Sequence, residues 1–283
     1  MAGALRTLVV NADDFGLSEG INRGILSAFR QGILRSASIV PNGMAFEDAV
    51  RIASETPDLD IGIHLSLVGE RSLAPIRDVR GLASDGGILP SSYATFMRDY
   101  ALRRFGLRQV RAEIEAQVAR VLDAGLRPSH IDSHQHLHVL PGIIDVVIDA
   151  AKASGIRIIR LPSEHGGIGG RGIGQRALLF LCQRAAPKLR EAGIRFADRF
   201  WGFGISGHMS EETLAGILDR LGPGVNEIMC HPGFSDAVAE KRYRWHYHWD
   251  QEVAALCSDA IWQNIEDRKI RLVGFSEAWE PAG

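Results

Sequence analysis

The chain is short of cysteine, of unbroken apolar sequence and of net charge, and each shortage removes a class of protein. Its three cysteines, Cys182, Cys230 and Cys257, are odd in number and far apart, so no disulfide framework is implied and a reducing, cytoplasmic setting fits. No apolar run approaches the roughly 18 residues needed to span a bilayer. The stretch Ala177–Cys182 reads instead as part of a buried helix. The N-terminus enters an apolar strand directly, without the charged region and cleavage site of a signal peptide. Thirty-two Lys and Arg against 34 Asp and Glu give a formal net charge of −2 with no basic stripe, which argues against nucleic acid as a partner. A Walker loop and a G-x-S-x-G elbow are both missing, and the glycines near Gly169–Gly174 do not open a Rossmann unit.

What remains is a chain able to fold: 46% of its 283 residues are hydrophobic and 23% charged. Short β-branched runs alternate with longer helical patterns, the signature of βα units around a parallel sheet. Strands are expected at Thr7–Asn11, Ser36–Val40, Asp60–Leu67, His130–Ser133, Arg157–Leu161, Ile194–Trp201, Glu227–Cys230 and Ile270–Gly274. Helices are expected from Ser18 to Arg30, from Ala45 to Ser54, around Leu107–Leu122, after Pro141 and after Ser210. Gly69–Ser92 and Gly166–Gly174 read as two long loops. No repeat or composition break divides residues 1–283, so a single-domain irregular (β/α) barrel of seven to eight parallel strands is the leading expectation. An open doubly wound sheet is the alternative.

The densest signal is His130-Ile131-Asp132-Ser133-His134-Gln135-His136-Leu137-His138, with a histidine or aspartate at every second position. Imidazole and carboxylate bind Zn and similar divalent ions at neutral pH. Asp13 and Asp14 follow the first expected strand, His64 lies near the end of the third, and Asp132 and His134 end the fourth. Arg160 ends the fifth and His231 follows the seventh. Strand carboxyl ends are where α/β folds bind ligands, so five segments deliver titratable groups to one rim.

Each residue also has a plainer reading. Asp13 and Asp14 can cap the next helix, although two adjacent carboxylates favour a nearby cation. His64 sits in an apolar run and can be a satisfied core residue. His231 can be a turn residue, and Arg160 an ordinary surface pair. His134 and His138, four apart, would meet on a helical turn. Tyr243, Trp245, Tyr247 and Trp249 alternate with Arg242, Arg244, His246 and His248, and suit either a sugar-stacking surface or a core or subunit interface.

These segments resemble the YdjC-like carbohydrate deacetylases, which include chitooligosaccharide deacetylases. The resemblance rests on Asn11–Gly16, on Gly62-Ile63-His64-Leu65, on the His130–His138 run and on Cys230-His231-Pro232-Gly233, and extends in order over nearly the whole chain. Several details are similar to a branch associated with hopanoid lipid biosynthesis.

The resemblance implies an irregular (β/α) barrel that removes an N-acetyl group from an N-acetylglucosamine-type sugar, a chito-oligosaccharide or a hopanoid-linked glycolipid headgroup. It implies Asp14, His64 and His134 as ligands of one divalent metal ion, Mg or Zn, and Asp13 as general base. Broader similarity to polysaccharide deacetylases adds Arg160 steering Asp13, and His231 as general acid. Those relatives use an H-x-x-x-H pair, which here would replace His64 by His138. Asp132, His136 and His138 remain candidates for orienting ligands or meeting substrate. A metal-bearing carbohydrate-binding protein without turnover is the competing class. An amidohydrolase-type H-x-H site fits less well, because that pair normally belongs to the first barrel strand. A homodimer is only the default assembly.

Overall fold

A computed structural model describes residues 5–164 and 172–280. Its backbone is a curled, all-parallel sheet wrapped by helices. The strands are β1 (Arg6–Phe15), β2 (Ser36–Ile39), β3 (Asp60–Leu65), β4 (Ile131–Ser133), β5 (Arg199–Trp201), β6 (Gly224–Cys230) and β7 (Arg271–Leu272). They run in the order β4-β3-β2-β1-β6-β5, and β7 pairs the start of β1. Single parallel bridges, Ile131 to Ile159 and Ile158 to Arg195, carry the pairing from β4 round to the segment leading into β5. The circuit is an irregular barrel.

The fifth expected strand, Arg157–Leu161, is therefore only a bridged extended segment, and the sixth narrows to Arg199–Trp201. Pro162 has no N–H to continue a ladder. Strand β1 is longer than expected because its turn chemistry is internal: the register slips between Ala12 and Phe15, and Asp14 has φ +69°. Asp13 and Asp14 thus belong to the strand rather than follow it.

The helices are α1 (Glu19–Gln31), α2 (Phe46–Glu55), α3 (Tyr93–Ala101), α4 (Leu107–Asp123), α5 (Ile143–Ala153), α6 (Ile173–Glu191), α7 (Glu211–Leu218), α8 (Ala237–Arg242), α9 (Trp249–Leu256) and α10 (Asp259–Asp267). Ser18 and Ser210 cap α1 and α7 by accepting from Ile21 and Thr213 amides. Gly32 ends α1 in extended backbone; a Cβ there would lie 2.3 Å from the Leu256 carbonyl, so close approach, not a left-handed turn, requires glycine. Helices α3 and α8–α10, six to nine residues each, were not anticipated. The expected 69–92 loop is pinned by buried Glu113 of α4, which accepts from Ser72 and the amides of Leu73 and Ala74. Of the glycine-rich loop, residues 166–171 lie outside the described residues, and Ile173 already starts α6. That helix is only half-buried: Cys182 is covered, while Phe180 is 57% exposed.

Strand periodicity sorts the barrel interior into layers. Leu8, Val10 and Ala12 face the helices, in the main core. Val9 faces inward with Ile158, Val225, Val273 and Phe275, and these plug the amino end. Two and four residues further along β1, the same inward face carries Asn11 and Asp13. On β6 it carries Glu227 and His231. An apolar plug below and a polar layer above is the arrangement that positions the site. Within it, Gly62 leaves room for the His130 ring, 2.2 Å from where a Cβ would sit.

Candidate active site

At the carboxyl ends of the strands the structure brings together Asp13, Asp14, His64, Asp132, His134, Arg160 and His231. Asp14, His64 and His134 present one atom each within 4.8 Å of one another. His64 Nε2 is 3.6 Å from Asp14 Oδ1, and His134 Nδ1 is 3.1 Å from the same oxygen. Among the described residues, three of the six non-glycine residues with positive φ lie here, Asp14, Gln135 and His136. Strain concentrated this way marks backbone held for side-chain placement rather than for the chain's own comfort. The bulge at Asp14 turns its carboxylate to the same side as that of Asp13. The left-handed pair Gln135–His136 breaks the strand alternation immediately after His134.

The break separates the histidine run into different fates. His138 is held at both nitrogens: Nδ1 lies 2.6 Å from Ser133 Oγ and Nε2 2.9 Å from the Arg160 carbonyl. Burial lowers its basicity to a pKa of about 4. It is a structural histidine, and the His134–His138 pairing does not form. His130 is likewise engaged at both nitrogens, by Ser38 and Ser129. His136 is buried against Phe200 and Phe203 and, chiefly through burial, stays neutral well below the usual imidazole range. It lies outside the ligand-like clusters, so no H-x-H site forms with His134.

Asp132 backs the cluster. Its Oδ1 is 2.7 Å from His64 Nδ1, leaving Nε2 to face Asp14. A carboxylate behind an imidazole is the usual support of a metal-binding histidine. Its other oxygen accepts from Ser38 and lies 2.8 Å from Arg160. Burial opposes charge on His64, but Asp132, Asp13 and Asp14 outweigh it and lift the imidazole to about 9. Burial also opposes charge on Asp14, yet His134, His231 and His64 pull it down to about 2.

Arg160 is fully buried, not a surface pair. It donates two 2.7 Å hydrogen bonds to the two oxygens of Asp13, and Nε donates 2.5 Å to Glu227. Asn11 adds a third donor to Asp13 at 3.0 Å. The pairing of Ala12 with Cys230 sets His231 beside Asp13. Its backbone amide is fixed by Glu252 of α9 at 2.5 Å, while Nδ1 has no partner among the described residues.

The donor set fits a divalent cation. Three buried carboxylates, Asp13, Asp132 and Glu227, share one buried guanidinium, and a fourth, Asp14, has no contact with it. Asp14 Oδ2 is buried without a hydrogen-bond partner among the described residues. An orphaned acceptor in a field that negative is the place a cation would fill. A second cluster of Asp13, His64 and Asp132 shares His64, but both its carboxylates are already claimed by Arg160.

A model of the family described as YdjC-like protein matches residues 7–267. The chain belongs to the YdjC-like family. A carbohydrate deacetylase of Geobacillus stearothermophilus is 31% identical over 278 residues, 97% of this chain and 99% of the relative. A chitooligosaccharide deacetylase of Klebsiella pneumoniae (strain 342) is 32% identical, covering 94% of this chain and 97% of the relative. Among solved structures, a protein of Enterococcus faecalis V583 described as a cellobiose-phosphate cleavage protein superposes with a TM-score of 0.80. It is 26% identical, over 97% of this chain and 99% of that one.

Two further residues of this YdjC-like site escaped the sequence reading. Glu227 shares the inward face of β6 with His231 just past its end, and an acidic residue four positions before His231 in the same strand was a usable signal. Glu252 gives none, since only the packing of α9 brings it to His231. The aromatic run splits: Tyr243 and Trp249 are buried, whereas Trp245 and Tyr247 line a cavity of about 540 Å³ together with Asp13, His64, His134 and His231. Met97, Leu140, Leu178 and Leu181 also line that cavity and make much of its lining apolar.

Proposed function

We propose that the chain is a metal-dependent hydrolase that removes the N-acetyl group of an N-acetylglucosamine-type sugar and releases acetate, acting as one cytoplasmic catalytic domain. The observation that carries this reading is the convergence of Asp14, His64 and His134 beside Asp13 and His231. The names of its relatives, carbohydrate and chitooligosaccharide deacetylases, support the same reaction.

Asp14, His64 and His134 would hold one ion, Mg or Zn, leaving coordination positions open. When bound, that ion supplies Lewis acidity toward the amide carbonyl and makes water more acidic. Asp13 takes the proton of the attacking water, oriented by the two-pronged grip of Arg160. His231, protonated, then hands a proton to the departing amine nitrogen, which cannot leave as an anion. Asp132, at 2.7 Å from His64 Nδ1, fixes that ring so that Nε2 faces the site.

The apolar side chains lining the larger cavity support a substrate with an apolar aglycone, a hopanoid-linked N-acetylglucosamine in preference to a chito-oligosaccharide. Among the described residues no helix is long and apolar enough to cross a membrane, so such a headgroup would be met at the membrane surface. Acetate release from a glycosylated hopanoid and from chito-oligosaccharides, each with and without chelator, tests both levels. Metal loading without acetate from any N-acetylated sugar would favour a binding protein instead.

A further inference from the structure

Trp245 is shared by two cavities. Besides the 540 Å³ cavity it lines a smaller cleft of about 250 Å³, of mixed polar and apolar lining, that also reaches His134 and Gln135. That volume falls below the about 300–1,000 Å³ of pockets that enclose a whole drug-sized ligand, so the cleft suits one edge of a larger molecule. Its floor is a charged pair. Buried Glu70 accepts from Arg242 Nη2 at 2.8 Å and from the Tyr243 hydroxyl at 2.8 Å. Arg242 also donates to the Gly69 carbonyl through Nη2 and, at 3.4 Å, to Glu70 through Nε. The Trp245 ring lies 5.0 Å from His134 and 4.7 Å from Tyr243, bridging the metal-type cluster and the charged pair.

Neither the deacetylase chemistry nor the fold's core explains why a partly exposed guanidinium and a buried carboxylate sit side by side on this cleft. A carboxylate oxygen has two acceptor positions and a guanidinium five N–H donors, so the pair offers donor and acceptor capacity next to each other after its internal bonds are made. Sugar hydroxyls both donate and accept, and an aromatic face beside them takes the C–H side of a pyranose. Because Glu113 anchors the loop that carries Glu70, the cleft is built before any ligand arrives.

We infer that this cleft reads the hydroxyl edge of the pyranose whose acetamido group lies at the Asp14–His64–His134 cluster. In this arrangement Arg242 and Glu70 determine sugar specificity and Trp245 is the stacking face. The inference rests on the deacetylase reading and adds to it where each end of the substrate lies: hydroxyls at the Glu70–Arg242 pair, aglycone toward Met97, Leu140, Leu178 and Leu181.

The test is a panel of N-acetylglucosaminides of one aglycone, intact or with the 3-, 4- or 6-hydroxyl replaced by hydrogen, assayed for acetate release with metal-loaded enzyme. With the natural sequence, at least one deoxy analogue should lose roughly 10- to 100-fold in kcat/KM, the range for a hydrogen bond to a charged group. In Arg242→Ala, and in the shape-conserving Glu70→Gln, that penalty should shrink to within about threefold, as expected when a shared partner has been removed. A purely structural bridge would lower activity on all four sugars alike and keep the penalty, which overturns the inference; so does a natural enzyme indifferent to every deoxy analogue. Tryptophan fluorescence with N-acetylglucosamine separates this from the parent reading. Quenching in the natural protein that disappears in Trp245→Phe supports the cleft even if no acetate is released. No difference between the two proteins refutes it even if acetate is.

Discussion

Glu227 offers the sharpest test of the buried charge layer. Its Oε1 accepts from Arg160 Nε, and its Oε2 is buried without a partner among the described residues. Burial raises its pKa from the ordinary 4.5 to about 7, with Arg160 opposing and the charges of Asp132 and Asp13 adding to the rise. For an acid with a raised pKa the folded state binds the extra proton. The stability this confers is therefore complete below the unfolded pKa of 4.5 and is lost as pH climbs through about 7. The span corresponds to about 3 kcal/mol as an upper bound. Glu227→Gln removes the titration and keeps a carbonyl oxygen for Arg160. Urea unfolding of both proteins at pH 5 and pH 8 should show natural stability falling by about 2–3 kcal/mol relative to the variant, with the urea slope unchanged. A difference constant within about 0.5 kcal/mol would refute the claim that burial dominates Glu227. A difference of opposite sign would mean that the Arg160 pair governs it.

Arg160→Met should cost about 3–5 kcal/mol in urea unfolding, because it leaves Asp13, Asp132 and Glu227 buried without their common cation; a near-neutral result would show that solvent reaches the layer. Asp13→Asn should retain metal by elemental analysis while acetate release falls about 10²- to 10⁴-fold, whereas His134→Ala should lose both. Equal metal loss in the two variants would end that division of roles. His138→Ala should keep its metal and lose about 1–3 kcal/mol through the broken contacts to Ser133 and the Arg160 carbonyl. A folded variant without metal would instead restore the H-x-x-x-H alternative. Chelation should lower the thermal midpoint and abolish acetate release, with both recovered on adding back the ion, since a ligand of the native state stabilises it by mass action.

Much of the architecture was legible because its causes are local. Apolar β-branched runs, serine caps and helical spacing located six strands and five helices near their observed positions. The weak points were the segments whose pairing depends on neighbours: 157–161 and 194–198 are extended but barely laddered, and α3 and α8–α10, at six to nine residues, are too short for helical spacing to stand out. The candidate site was legible as a set of strand-end residues. Its internal order was not. Nothing in an alternating His/Asp run says which imidazole nitrogen is already occupied, and Arg160 reads the same in sequence whether it is on the surface or at the centre of the barrel.

By itself, then, the sequence determined the chemistry available and its side of the sheet, since strand alternation and βα order are properties of the chain. Only the tertiary structure decided which residues keep company. The bulge at Asp14 and the left-handed turn at Gln135–His136 rotate His134 toward Asp14 and His64 and leave His138 tied to Ser133 and the Arg160 carbonyl. Barrel closure brings Arg160 between Asp13, Asp132 and Glu227, from three other strands. Most of those choices rest on contacts between segments distant in the chain, up to 147 residues apart, where hydrogen-bond geometry and charge balance act and local pattern carries no information.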